Sequence, residues 1–117
     1  MARPLDARRA LTVALASGLV WASACASGNS MKLAEQAERR SDFDRAVVEY
    51  SNVLRKNPDN PAARTSLQRV RTRASEEHYL RGRGLSAVER NQEAALELQL
   101  ATELNPTNAG ADAELRE

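Results

Sequence analysis

The chain has 117 residues, of which 42% are apolar, 28% charged and only 3% aromatic, with a formal net charge of +1. That length admits one domain, and the near-neutral charge excludes a global electrostatic case for nucleic acid. So few aromatic residues exclude a deep core built on large side chains, and a single cysteine excludes an internal disulfide.

Met1–Arg9 is basic through Arg3, Arg8 and Arg9. Residues 10–22, ALTVALASGLVWA, are uncharged and mostly apolar, and Ala22-Ser23-Ala24-Cys25 follows. A charged start, an apolar middle and a small-residue cleavage site predict an export signal over residues 1–24. The apolar run falls short of the about 20 residues that a membrane span requires. Ser-Ala-Cys after such a run resembles a bacterial lipobox. That resemblance implies a thioether-linked diacylglycerol on Cys25, which becomes the new N-terminus. Ala22 stands where a lipobox usually has Leu, so ordinary cleavage that leaves Cys25 free is the alternative. Arg8-Arg9 matches a twin-arginine signal only in the pair itself. Loss of Arg3, Arg8, Arg9 and Asp6 would move the formal charge from +1 to −1. Residues 25–29 then read as a lipid-anchored tether and residues 30–117 as the folded domain. Ala26 rather than Asp after Cys25 points to the periplasmic side of the outer membrane.

The first helix is expected over Met31–Arg40, with Leu33, Ala34 and Ala37 inward. Ser41-Asp42 or Asp44 can cap the next helix, because a short side-chain oxygen accepts from the free N–H groups of a first turn. Ala46, Val47, Tyr50, Val53 and Leu54 then form one apolar stripe at helical spacing. Arg55 and Lys56 suit the negative end of that helix, and Pro58 forces Asn57 out of the α region and stops it. Asp59-Asn60-Pro61 restarts a helix, with Asn60 as cap and Pro61 at the first helical position. Leu67, Val70, Ala74, His78, Gly82 and Leu85 carry a thinning stripe to about Val88. This predicts one long helix, or two with a kink near Gly82 or Gly84. The segment holds Arg64, Arg69, Arg71, Arg73, Arg81 and Arg83 against Glu76 and Glu77. Such a stripe meets anionic lipid, an acidic partner or nucleic acid, the last disfavoured by the export signal and the lack of interleaved aromatics, or it is a solvated face balanced by acidic neighbours from adjoining helices. His78, without a second histidine, reads as packing or helix surface and not as catalytic.

Glu93–Leu104 is the most apolar helix after the leader, with Ala94, Leu98, Ala101 and Leu104 inward. Leu96 and Leu100 stand four apart on its outer side. Asn105-Pro106 repeats the earlier stop, and Thr107 or Asn108 can cap a polar terminal helix from Ala109 to Glu117.

Residues 89–108 are a degenerate copy of residues 41–60: Ala46 matches Ala94, Tyr50 matches Leu98, Val53 matches Ala101 and Pro58 matches Pro106. This pattern resembles the tetratricopeptide repeat, a helix–turn–helix unit of about 34 residues. The resemblance covers residues 29–117. It implies an all-α array of two antiparallel helix pairs plus a partial helix. It makes Ala34 and Gly82 the small residues of each first helix, Ala46 and Ala94 those of each second helix, and Phe43 and Tyr50 the aromatic positions of the first unit. Asn91 replaces Phe43 and Leu98 replaces Tyr50 in the second unit. The two prolines lie 48 residues apart, and the excess over one repeat is close to four whole helical turns. Carried over, the groove positions are Met31, Glu35 and Glu38, then Tyr79, Arg83 and Ser86. The Lys/Asn clamp for C-terminal carboxylates is not matched.

No glycine-rich loop follows a strand, no nucleophile accompanies His78, and Glu76-Glu77 diverge on a helix. The expectation is therefore a non-enzyme without cofactor, an exported scaffold binding a protein or peptide partner, with Tyr79, Arg83, Leu96 and Leu100 as contact residues. Residues 78–108 also resemble the repeat segment ahead of bacterial secretin-like pore domains, which implies a secretion or pilus component. Self-association through Leu96 and Leu100 is the third reading.

Overall fold

The computed structural model describes residues 28–117, which form five helices and no strand. These are α1 (28–39), α2 (Phe43–Lys56), α3 (Pro61–Ala87), α4 (Asn91–Leu104) and α5 (Ala109–Leu115). The expected leader over 1–24 and Cys25 lie outside the described residues. Of the tether expected over 25–29, Gly28 and Asn29 already belong to α1.

Short polar signals set the boundaries. Asp42 caps α2 by accepting from the Arg45 amide, and Asn60 caps α3 by accepting from the Ala63 amide, with Pro61 in the first turn. Asn108, rather than Thr107, caps α5 by accepting from the Ala111 amide. Helix α4 has no side-chain cap bond at Arg90, whose guanidinium instead pairs with Glu93. Ser41 and Glu89 end α1 and α3 in the left-handed region, with φ of 58° and 61°. In each case the amide three residues past the helix reaches back across five residues: Asp42 N–H to Ala37 C=O, and Arg90 N–H to Leu85 C=O, both at 3.0 Å. Ser41 N–H to Glu38 C=O and Glu89 N–H to Ser86 C=O complete the same closing motif.

The two turns are the same turn, displaced along the chain by the 48 residues that separate Pro58 from Pro106. The displacement persists through the second boundary. Asn57 N–H donates to Val53 C=O as Asn105 N–H does to Ala101 C=O, and the caps Asn60 and Asn108 correspond. Helices α2 and α4 have identical lengths at that displacement. The short α5 corresponds to the start of α3. The backbone therefore repeats in blocks of three helical segments: α1, α2 and the first half of α3, then the second half of α3, α4 and α5.

Helix α3 runs for 27 residues, about 40 Å, without a break at Gly82 or Gly84. Its first half buries Ala63 and Val70 against Ala34, Ala37, Ala46, Tyr50 and Val53. Its second half lies antiparallel to α4: Arg71 reaches the Leu104 carbonyl, Ser75 the Ala101 carbonyl and His78 the Glu97 carboxylate. The core is mostly alanine, and its largest fully buried side chains are Tyr50, Val53, Val70 and Ser75. A second, smaller cluster joins Leu98, Ala101 and Ala111, with Tyr79 packed on it.

Gly82 is buried where α4 crosses. A Cβ there would stand 2.8 Å from Leu98 Cγ, a branch point that cannot swing aside, and 3.3 Å from the Ala94 carbonyl. Gly84 faces open space. The same substitution should therefore have opposite signs two residues apart. Gly84→Ala is expected to raise stability by up to about 1 kcal/mol through helix propensity alone. Gly82→Ala should lower it by about 1–2 kcal/mol, because overpacking outweighs that gain. Urea midpoints at an unchanged denaturant slope would read both.

Candidate functional site

The six arginines of α3 are each engaged. Arg64 donates to the Pro58 carbonyl, and Arg73 pairs with Glu76. Arg69 grips Glu38 of α1 through Nε at 2.7 Å and Nη2 at 3.0 Å. Arg71 donates to the Leu104 and Glu103 carbonyls, closing the open C-terminus of α4. Arg81 lies near Glu97 and Asp44, and Arg83 pairs with Glu114 of α5 at 3.1 Å. The stripe is thus balanced by acidic groups and carbonyls, most of them on adjoining helices. Exposed pairs of this kind contribute about 0–1 kcal/mol each, so their main effect is to orient helices.

Two networks tie the halves together. In the first, the Tyr50 hydroxyl, fully buried on α2, donates to Glu38 Oε2 at 2.8 Å while Arg69 holds the same carboxylate. Hydrogen bonding to Arg69 holds the Glu38 carboxyl below the usual glutamate range, against the opposing effect of burial. Burial, followed by the Glu38 hydrogen bond, pushes the Tyr50 phenol up. In the second network His78 is buried between α2 and α4. Its Nδ1 is 2.6 Å from Glu97 Oε2 and its Nε2 3.0 Å from Asp44 Oδ1. Each carboxylate can only accept, so the ring donates to both when it carries protons on both nitrogens. His78 is a packing residue, as its place on the stripe implies. Its bridging of three helices has no sequence signal, because Asp44 and Glu97 lie 34 and 19 residues away.

The contact residues divide between two surfaces. Tyr79 and Arg83 face α5: the Tyr79 hydroxyl lies 3.4 Å from Glu114 Oε1, and the Arg83 guanidinium sits 5.8 Å from the Tyr79 ring centre. Gly110 of α5 presses on that ring so closely that a Cβ would stand 2.8 Å from it. In the first half Glu38 is likewise occupied, by Arg69. Leu96 and Leu100 point to solvent and are 63% and 42% exposed. Leu100 forms one wall of a groove of about 450 Å³ whose opposite wall is Val47 and Val48 of α2. A larger cleft of about 630 Å³ opens between the end of α3, the start of α4 and α5. Among the described residues no helix is long and apolar enough to cross a membrane, and no cluster of three metal-ligating side chains forms. No protein-family model matches the chain, and neither a curated protein nor a solved structure matches it.

The Glu38–Tyr50 network sets a pH dependence at both ends. The depressed Glu38 value gives stability that is complete above the ordinary value of 4.5 and is lost as pH falls through the folded value. The raised Tyr50 value gives stability that is complete below 10.0 and is lost as pH rises further. Denaturation across pH should therefore show Glu38→Gln with a flatter acid limb that converges on the parent below pH 4.5. Tyr50→Phe should flatten the limb above pH 10.0.

Proposed function

We propose that this chain is an exported, tetratricopeptide-like scaffold for protein–protein interaction, held at the periplasmic face of a membrane by a lipid on Cys25. The observation that carries the repeat reading is the recurrence of turn and cap hydrogen bonds at one 48-residue displacement. Small residues stand where the family's helices cross: Ala34 and Gly82 in the first helix of each pair, Ala46 and Ala94 in the second, all buried. Pro58 and Pro106 follow at the same offset. The departure from a period of about 34 has a place in the fold, since the additional residues form the first half of α3, which covers the α1–α2 pair. A helical pair buries only part of its apolar surface and needs a neighbour, and α3 supplies one on each side.

The scaffold reading follows from what the surfaces offer. The only histidine is enclosed by two carboxylates, and among the described residues no nucleophile is hydrogen-bonded to it. The exposed apolar residues Val48, Leu80, Leu96 and Leu100 are instead the chemistry of contact. The leader pattern and Cys25 supply the anchoring half of the proposal, and Ala26 favours the outer membrane.

The native protein should be recovered from membranes with an intact mass that begins at Cys25 and includes diacylglycerol, and Cys25→Ser should release it to the soluble fraction. An unlipidated soluble parent would remove the anchor. A photo-crosslinking residue at Leu96 in cells should yield an adduct with another protein. Adducts with itself alone would make the chain a self-associating module, and no adduct at either Leu96 or Ala95 would remove the scaffold.

A further inference from the structure

A groove of about 450 Å³ lies where the two blocks meet. Val47 and Val48 at the start of α2 form one wall, and Leu100 and Leu104 at the end of α4 form the other. The buried His78 of α3 lines it between them. Its ring nitrogens are held by Asp44 of α2 and Glu97 of α4, so an imidazole spaces the two helices and the groove is the room beside that bridge. One wall comes from each block. The block that follows α2 therefore forms the groove rather than covering it, and no residue near either end of the sequence lines it. The walls stay open to solvent: Val48 is 56% and Leu100 42% exposed, and Leu96, one turn earlier on α4, extends the apolar side outward at 63%. The volume lies within the range of pockets that take a small ligand or a side chain.

Charge decides what such a groove suits. Asp44 and Glu103 line it and, among the described residues, no lysine or arginine does. Cations close by are engaged elsewhere: Arg81 lies 3.9 Å from Asp44 and 3.7 Å from Glu97, and Arg71 donates to the Glu103 and Leu104 carbonyls. The Glu103 carboxylate accepts from Gln99 and, among the described residues, makes no ion pair. It stands in the last turn of α4, at the negative end of the helix dipole. Glu103 is exposed, whereas His78 is buried and Arg71 half-buried, so the charge that an incoming segment meets first is negative.

We infer that this groove is the docking site for a basic amphipathic segment of a partner protein. An aliphatic side chain enters between Val48 and Leu100, and a lysine or arginine within one helical turn of it pairs with Glu103. The aliphatic half of the assignment follows from walls that are themselves aliphatic, and the basic half from the free carboxylate at the mouth. Helices dock in grooves between helices in this way, with apolar anchors at i, i+3, i+4 and i+7. The inference names a partner chemistry for the scaffold proposed above and rests on that reading.

The test is a titration of the full chain, labelled for NMR, with a helical peptide of leucine and lysine in amphipathic order. Saturable shifts are expected at Val47, Val48, Leu100 and Leu104, with little change around Leu85 and Ala95. The same peptide with glutamate for lysine should bind more weakly, and with alanine for leucine should give no shifts. Leu100→Asn and Glu103→Arg place on α4 the residues that α2 carries at the corresponding positions, Asn52 and Arg55, so both suit that helix end. Each should weaken the leucine–lysine peptide by about tenfold while leaving the spectrum folded. In cells, a photo-crosslinking residue at Leu100 should capture a segment that sequencing shows to carry lysine or arginine within a turn of the linked residue. Absence of shifts in the groove overturns the inference, as does equal binding of the glutamate peptide or undiminished binding to both variants. A Leu100 adduct with lipid, with an acidic segment or with a second copy alone overturns it too. A Leu96 adduct formed in cells by a chain that fails the titration would leave the scaffold standing and remove only the basic docking site.

Discussion

Helix α3 touches every other described helix, and it can do so because the residues it turns inward are small. Ala63, Ser66, Ala74, Ser75 and Gly82 are buried along it, with Val70 the one larger aliphatic among the fully buried. Small side chains let neighbouring backbones approach until polar groups on one helix reach the main chain of the next. Ser75 Oγ donates to the Ala101 carbonyl at 2.7 Å and accepts from Asn108 at 2.9 Å, which ties α3 to α4 and to the cap of α5 at one atom. Such a fold has little cavity-prone bulk and little tolerance for added volume. Its cohesion lies in many close crossings rather than in one large apolar centre. That is the packing a chain with 3% aromatic residues has open to it.

Ion pairs then choose among the arrangements that close packing allows. Arg69 to Glu38 docks the first half of α3 on α1, His78 joins α2 to α4 through Asp44 and Glu97, and Arg83 to Glu114 docks α5. The ion-paired arginines of α3, several of them held by acids on other helices, keep their side chains half or more exposed. Read along one helix the patch looks unbalanced because Glu38, Asp44, Glu97 and Glu114 belong to other segments of the chain.

What was legible in the sequence was local. The α2 stripe and its stop at Pro58 and the Asn60-Pro61 start depend on residues within a few positions of one another, and the 48-residue correspondence is the recurrence of such local signals. Each signal has a direct cause in helical periodicity, capping or backbone restriction. The two left-handed termini were not legible, because Ser41 and Glu89 occupy positions that usually attract glycine, and only the reach-back hydrogen bonds reveal them. Nor was the start of α1, since Gly28 and Asn29 carry no helical preference yet are helical. Among contact residues, the exposure of Leu96 and Leu100 follows from helical phase alone. The engagement of Tyr79 and Arg83 with α5 does not, because it depends on Gly110 allowing that helix to press against the ring.

The two blocks share a backbone and differ in how each closes. The first closes from within: Tyr50 reaches Glu38, Arg69 clamps that carboxylate, and the aromatic interior is sealed. The second has lost each of those three groups, with Leu98, Ser86 and Glu117 in their places. Its closure has moved nearer the start of the same α3 segment, to Tyr79, which stands where the first block has Met31 and which binds α5 instead. That relocation secures α5 along one edge and leaves the space beside Asn91 and Ala95 unfilled. The cost is a second core of only Leu98, Ala101 and Ala111 with Tyr79 against it, so α5 depends on the Tyr79 and Arg83 contacts for its position.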